Sequence, residues 1–335
     1  MLRYTVRRFG QLVVVVAVLS VLLFAWLRSL PGGPISALLG ERATPESRAR
    51  LAEAFGLDQP IHVQYLRFLG RAITGDFGVS TGVQRGDAAV AIFLQRFPAT
   101  IELATLALLL AVAAGIPLGY LAARRRGSWL DNSGVVGSLV GVAVPVFFLA
   151  FLLKYVFAVE LGWLPTQGRQ TGGIDATRIT GFFVLDGLLT REWDAAWDAL
   201  KHLVLPALAL SSIPFAVIFR ITRGAVLDVL DEGYVRTAYA KGLTDQVIRA
   251  RHVLRNALLP VVTTIGLQTG ALLSGAVLTE RVFAFQGVGQ ALAIGFERRD
   301  YAVLQVVIIA AAMVYVLVNL LVDLSYAVID PRVRT

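Results

Sequence analysis

The chain contains no cysteine, which excludes disulfides, thiol catalysis and thiolate-held metals. Charge is scarce: Asp, Glu, Lys and Arg make up 16% of 335 residues, where soluble domains carry about a quarter. Lysine is confined to Lys154, Lys201 and Lys241. The histidines, His62, His202 and His252, lie far apart without HExxH-type spacing, so no metal centre is expected. No GxxxxGKS/T run is present to cradle nucleotide phosphates. Leu273-Ser274-Gly275 is a fragment of an ATPase signature, but it sits in an apolar run and reads as packing. With no nucleophile motif and no paired carboxylates either, the chain is expected to have no catalytic residue and no bound cofactor.

What it has in quantity is apolar surface. Hydrophobic residues make up 56% of the chain and the mean hydropathy is +0.70. A helix needs about 20 apolar residues to cross the hydrocarbon core. Six windows free of Asp, Glu, Lys and Arg approach or exceed that length: 9–27, 103–123, 132–153, 203–219, 257–279 and 301–322. The fourth is the shortest and holds Pro206 and Pro214, so its ends are the least defined. The first follows Arg3, Arg7 and Arg8, as a signal peptide would. Its run is long for one, and Leu30-Pro31-Gly32-Gly33-Pro34 offers no small-x-small cleavage site, so it reads as a retained anchor.

Arginine sets the orientation. The N-terminus, Arg124-Arg125-Arg126, the stretch from Arg220 to Arg255 and the C-terminus hold 15 Lys and Arg against 6 acids. The alternate set is near balance, 15 against 16, leaving Lys154 and Asp323 inside the spans. The positive-inside rule places the first set, with both termini, in the cytoplasm. The +8 net charge thus reports topology rather than nucleic-acid binding. Lys154 and Asp323 fall near opposite faces, which argues against an ion pair or a proton relay between them. Of the outer segments, the first carries Thr44-Pro45-Glu46, a helix start predicted to run through Leu51 to Gly56. The second carries Trp163, Trp193 and Trp197, suited to an interfacial belt or a surface-lying helix. Both segments read either as connectors or as a docking surface for an external partner.

The inner stretch between the fourth and fifth windows is the most informative. Asp228, Asp231 and Glu232 precede a helix whose positive end they favour. Ala238 and Gly242, four apart, place small residues on one face, and Gly242 suits a helix C-terminal turn with positive φ. Thr244-Asp245 then caps a second helix over 246–254, with Pro260 marking entry into span five. On the residues alone this is either a linking hairpin or a docking element. Within span five, Thr264, Gln268, Ala271 and Gly275 recur at helical spacing as a small, polar face. Such a face serves either helix packing or a translocation pathway.

The order of short motifs carries a resemblance. Tyr234-Val235-Arg236-Thr237-Ala238-Tyr239-Ala240-Lys241-Gly242-Leu243, followed by Arg255-Asn256-Ala257-Leu258-Leu259-Pro260-Val261, resembles the EAA-type loop of the dipeptide/oligopeptide ABC importer permeases. Tyr239 replaces a commonly basic residue of the family. Met1-Leu2-Arg3-Tyr4, Leu30-Pro31-Gly32-Gly33-Pro34 (with Gly33 where Asp is usual), Gly56-Leu57-Asp58-Gln59-Pro60 and Gly75-Asp76-Phe77-Gly78 also match. So do Pro98-Ala99-Thr100-Ile101-Glu102-Leu103, Gly115-Ile116-Pro117-Leu118-Gly119, Leu161-Gly162-Trp163-Leu164-Pro165 and Asp330-Pro331-Arg332, so the likeness covers nearly the whole chain.

The resemblance implies an all-α membrane protein of the type I ABC importer permease fold: six transmembrane helices, both termini cytoplasmic, in the bacterial inner membrane. It implies a first transmembrane helix over 1–30, an extracytoplasmic segment over 31–100, and a five-helix core over 101–335 with a coupling loop at about 220–257. The loop residues Arg236, Thr237, Ala238, Tyr239, Ala240, Lys241, Gly242 and Leu243 would engage the ATPases. Implied partners are a homologous second permease, two ABC ATPase subunits that bind ATP and Mg, an extracytoplasmic substrate-binding (lipo)protein, a peptide substrate and membrane lipid. The same permease type also serves nickel chelates and other small solutes. Outside the family, the rival reading is a stand-alone secondary carrier or channel, although no internal duplication of the kind many carriers show is evident.

Overall fold

The computed structural model describes residues 2–29, 44, 46 and 58–329. Side chains at 2–9, 12, 27, 273–275 and 321–329 are outside that description. The helix expected from Thr44 to Gly56 lies almost wholly outside the described residues. Among them every regular element is helical, apart from one antiparallel bridge between Val79 and Ala88.

The order is α1 (Leu2–Ser29), α2 (Ile61–Ile73), α3 (Ala89–Arg124), α4 (Trp129–Ala143), α5 (Val146–Leu153) and α6 (Phe183–Thr190). There follow α7 (Trp193–Leu230), α8 (Gly233–Ala240), α9 (Asp245–Val247), α10 (Arg255–Val282), α11 (Val288–Glu297) and α12 (Tyr301–Ile329). Two stretches of wider π-helical turns, Lys154–Glu160 and Ile248–Leu254, prolong α5 and join α9 to α10. Among the described residues three helices are long and apolar enough to cross a membrane: Ala89–Arg124, Trp193–Leu230 and Tyr301–Leu320. Counting each of two bent helix pairs as one span raises the number to five, and α1 adds a shorter apolar stretch, Val13–Trp26.

Four expectations meet a different helical geometry. The window at 132–153 is not a straight span, because α4 and the Val146–Glu160 helix meet at 103°. Val144 is extended (ψ 123) before Pro145, which lacks an N–H and disfavours helical geometry in the residue before it. The shortest window lies instead within the longest helix. Pro206 and Pro214 are buried inside α7 without breaking it, as spanning helices permit when neighbours satisfy the freed backbone groups. Trp193 and Trp197 are exposed on the first turns of that same helix rather than on a separate surface helix. Finally, Pro260 lies inside α10 and not at a helix boundary.

The chain forms two compact units, Met1–Ala99 with Gln286–Leu317, and Thr100–Phe285 with Val318–Thr335. In the first, Ile92 and Phe93 pack with Val288, Ala291, Val303 and Val307. The buried Asp300, just ahead of α12, accepts hydrogen bonds from Ser80 Oγ (2.5 Å) and from the backbone N–H groups of Gly82 (2.9 Å) and Val83 (3.0 Å). One carboxylate thus fixes the turn before α3, and its desolvation is offset by charge-assisted bonds.

In the second unit the helices approach through glycine. A Cβ on Gly119 would lie 2.7 Å from the Phe219 carbonyl oxygen and 2.9 Å from Thr222 Cβ. One on Gly115 would meet Ile218 at 2.9 Å. These two, four apart on α3, form the small-residue seam typical of membrane helix pairs, and α7 lies in it. Lys154 does not reach for a headgroup. Its Nζ donates to the Val282 carbonyl (2.9 Å) at the C-terminal end of α10, where a cation is favoured.

Gly119→Ala is therefore expected to destabilise the folded chain by about 1–3 kcal/mol through overpacking. Gly137→Ala, with nothing within 4 Å of its would-be Cβ, should be silent. Thermal unfolding of both variants in detergent checks this, and equal melting temperatures would contradict the seam.

Candidate functional site

The residues joining α7 to α10 build a small platform. After α7 ends at Leu230, Glu232 turns extended, and its carbonyl accepts from the N–H groups of Val235 (3.1 Å) and Arg236 (3.3 Å) to start α8. Val235 and Ala238, three apart, occupy one face and are 1% and 4% exposed. They pack with Tyr120 and Ala123 from the end of α3, Val226 from α7, and Ile248, Val253 and Ala257. Every other α8 residue is exposed, and so are Lys241, Gly242 and Leu243.

The C-terminal turn is closed as expected. Gly242 has φ 73, its N–H donates to the Tyr239 carbonyl (2.9 Å), and the Leu243 N–H donates to the Ala238 carbonyl (3.3 Å). This is the paired bonding of a Schellman motif, which requires a left-handed residue at the glycine position. Ala238 and Gly242, however, do not form one small face. Ala238 is buried in the chain's own core, whereas a Cβ at Gly242 would meet nothing within 4 Å.

The second arm differs from expectation as well. The helix starts at Asp245 without a side-chain cap from Thr244, passes through the wide turns at Ile248–Leu254, and runs on into α10 without interruption. Arg124 Nη2 meets Asp245 Oδ2 at 2.8 Å, and Asn256 Nδ2 donates to the Tyr234 hydroxyl at 2.8 Å. Arg223 grips Asp131 with two guanidinium nitrogens, one at 2.8 Å, and the Gly127 N–H donates to the same carboxylate at 3.0 Å. Bidentate pairs of this kind fix orientation as well as distance. α8 is thus packed against the ends of α3 and α7 and the start of α10.

Of the sequence-predicted residues, Arg236, Thr237, Tyr239, Ala240, Lys241, Gly242 and Leu243 share this exposed platform, with Ala238 as its buried anchor. Tyr120, Ala123, Val226, Asp131 and Arg223 escaped sequence reasoning. Asp131 is the one acid of the Arg124–Asn132 stretch, a signal that could have marked it as a partner. The face on α10 is less uniform. Thr264 and Gln268 are half-buried and Ala271 is exposed, while the surroundings of Gly275 are outside the described residues. Thr264 Oγ1 is spent on the Pro260 carbonyl (2.9 Å). Gln268 makes no side-chain hydrogen bond among the described residues.

At the far end of the second unit, residues 160–202 are held by buried charge. Arg169 Nη2 donates to Glu102 (3.0 Å) and to the Gly181 carbonyl (3.0 Å), with its guanidinium 3.6 Å from the Phe183 ring centre. Burial pulls the Arg169 pKa below its ordinary value, and Glu102 pulls against that. Burial alone would raise the Asp186 carboxyl. Hydrogen bonds from Thr180 (Oγ1, 2.6 Å; N–H, 2.8 Å) and the Gly181 N–H (2.9 Å) outweigh it and hold the group below the usual carboxylate range. Thr171 donates to Asp198 through N–H (2.6 Å) and Oγ1 (2.8 Å). The segment is thus an ordered structure and not a slack connector. No group of three or more His, Cys, Asp or Glu that could hold a metal occurs among the described residues.

Comparison with known proteins places this geometry. Residues 115–335 match the model of the binding-protein-dependent transport system inner membrane component, and residues 1–104 match that of its N-terminal part. The chain is 43% identical over 335 residues to the di/tripeptide transport system permease protein DppB of Pseudomonas aeruginosa, covering 100% of this chain and 99% of the relative. It is 41% identical over 338 residues to the dipeptide transport system permease protein DppB of Escherichia coli, with 100% and 99% covered. It is 40% identical over 334 residues to the corresponding protein of Alkalihalophilus pseudofirmus, with both chains fully covered. The chain belongs to the family of binding-protein-dependent transport system inner membrane components.

Proposed function

We propose that this chain is a transmembrane permease subunit of an ATP-driven ABC importer for di- and oligopeptides, forming half of the translocation pathway. Support for the peptide comes from relatives named for di- and tripeptide transport that match end to end. The observation that carries the mechanism is α8, anchored by Val235 and Ala238 while its remaining side chains are exposed. Tyr234, Tyr239 and Leu243 are 42%, 49% and 39% exposed there, beside Arg236 and Lys241. Aromatic and arginine side chains on a rigid exposed element are what a protein partner grips.

In this reading six spans cross the inner membrane: α1, α3, the bent α4–α5 pair, α7, α10 with its α9 lead-in, and α12. Both termini and α8 face the cytoplasm, as the arginine distribution requires. The organisation is a first span over 1–30, an extracytoplasmic segment over 31–100 and a five-span core over 101–335. A homologous second permease completes the pathway. Two ABC ATPases binding ATP and Mg dock on Arg236–Leu243, and a substrate-binding (lipo)protein delivers peptide to the outer segments. Closure of the ATPase pair pushes α8 as a rigid body. Val235 and Ala238 pass the displacement to α3, α7 and α10, switching access between two states whose populations ATP and loaded binding protein bias. Thr264, Gln268, Ala271 and Gly275 line the pathway, with the unpartnered Gln268 carboxamide offered to the peptide.

Affinity purification of the tagged chain from native membranes is expected to recover a second permease and P-loop ATPases, and uptake in proteoliposomes is expected to require ATP. Recovery of the chain alone, still active under an ion gradient without ATP, would overturn the proposal.

Two substitutions test its parts. A non-glycine residue in the left-handed region costs about 1–2 kcal/mol, too little to unfold the chain, and position 242 has open space. Gly242→Asp should therefore insert at wild-type levels yet lose peptide uptake, with Gly242→Ala retaining more. Normal uptake by Gly242→Asp would remove α8 from coupling. Gln268→Leu should shift the ranking of competing dipeptides in an uptake assay, and an unchanged ranking would take Gln268 out of the pathway.

A further inference from the structure

The amphipathic helix α2 has no role in the coupling path. Among the described residues of α1 it meets three positions one to two turns apart. Tyr65 hydrogen-bonds Ser20 (2.8 Å) and packs edge-on against Phe24 (5.2 Å between ring centres), Phe68 lies 5.7 Å from the same ring, and Arg28 Nε donates to Gln64 (2.8 Å). At 1.5 Å per residue, Ser20 lies about 9 Å below Trp26, the last residue of the apolar stretch Val13–Trp26. A helix that touches Ser20 cannot stand clear of the bilayer that α1 enters.

The faces of α2 agree. At about 100° per residue, Tyr65 and Phe68 form the side toward α1. Leu66, Leu69 and Ile73 fall on one flank and Arg67 and Arg71 on the other. None of the α2 residues is buried. Leu66 and Ile73 are 63% and 78% exposed, and Val18, Val21 and Leu22 of α1 are exposed apolar residues as well. Arg71 turns instead to Asp76 (3.4 Å) just beyond the helix. A helix with Leu66, Leu69 and Ile73 on one flank, joined at the first turn by the exposed His62, and arginines on the other has the form that lies in a membrane interface.

We propose that α2 is an in-plane membrane helix: it lies parallel to the bilayer surface against the C-terminal end of α1, with Leu66, Leu69 and Ile73 in the acyl chains of that leaflet and Arg67 and Arg71 at the headgroups. In the topology proposed above this is the outer leaflet, but the depth of α2 is independent of that assignment. The occupant of the exposed flank is lipid, because α2 contacts Ser20 and Phe24 within the apolar stretch of α1 and so lies at the depth of its last apolar turns.

The absence of cysteine makes the test direct. Leu66→Cys on the apolar flank and Arg67→Cys on the polar flank, both at exposed positions, are labelled with bimane in the full-length chain. The chain and its co-purifying subunits are reconstituted in phosphatidylethanolamine–phosphatidylglycerol vesicles. Nitroxides carried on lipid acyl chains should quench the Leu66→Cys label severalfold more than aqueous iodide does, and Arg67→Cys should show the reverse. Iodide quenching of Leu66→Cys equal to that of Arg67→Cys would place α2 above the membrane and overturn the proposal. Protection from both quenchers would also overturn it, in favour of a covering protein segment. Ile73→Cys, at the end of the helix, repeats the reading if Leu66→Cys fails to fold.

Discussion

The burial of Val235 and Ala238 is the contact on which the rest of the mechanism depends. A helix of eight residues cannot hold its shape alone in water, and α8 lacks even a side-chain N-cap. Its order comes from two side chains set into a pocket made by the end of α3, by Val226 of α7 and by the turns leading into α10. Burying a valine of this kind stabilises by about 1.5–3 kcal/mol, enough to seat the element and leave its other faces to a partner. Because the pocket walls are three helices, a push on α8 reaches three helices at once.

That transmission needs stiff connections, and the chain supplies them by different means. Glycine lets α3 and α7 touch backbone to side chain at Gly115 and Gly119. The Asp131–Arg223 pair ties the start of α4 to α7, and the helix continues from Asp245 through the wide turns into α10 as far as Leu272 before it bends. At the opposite end of the same unit, Arg169, Asp186 and Asp198 order residues 160–202 through buried bonds.

Much of this was legible in the sequence. The helical class follows from runs that water would reject, and the turn at Gly242 follows from the geometry only glycine adopts easily. The platform's position follows from arginines placed between apolar windows. Other features were not legible, for identifiable reasons. Pro145 breaks its helix whereas Pro206 and Pro214 do not. Pro260 suggested a boundary, yet α10 runs through it. Asp131 and Arg223 are 92 residues apart, and no local pattern announces their pairing. Ala238 and Gly242 shared a face on paper, but the fold used one for anchoring and left the other at the surface. For Thr264, Gln268, Ala271 and Gly275, spacing marked a helix face without saying what faces it.

The central claim, that α8 is the seat of an ATPase, is tested most directly at Tyr239, which is 49% exposed in a chain free of cysteine. Tyr239→Cys, carrying a short photoactivatable cross-linker in native membranes, is predicted to capture a P-loop subunit, with the yield changing when ATP is added. A label at that position that stays freely reactive toward aqueous maleimide in the transport-active complex, with no ATPase captured, would contradict the account.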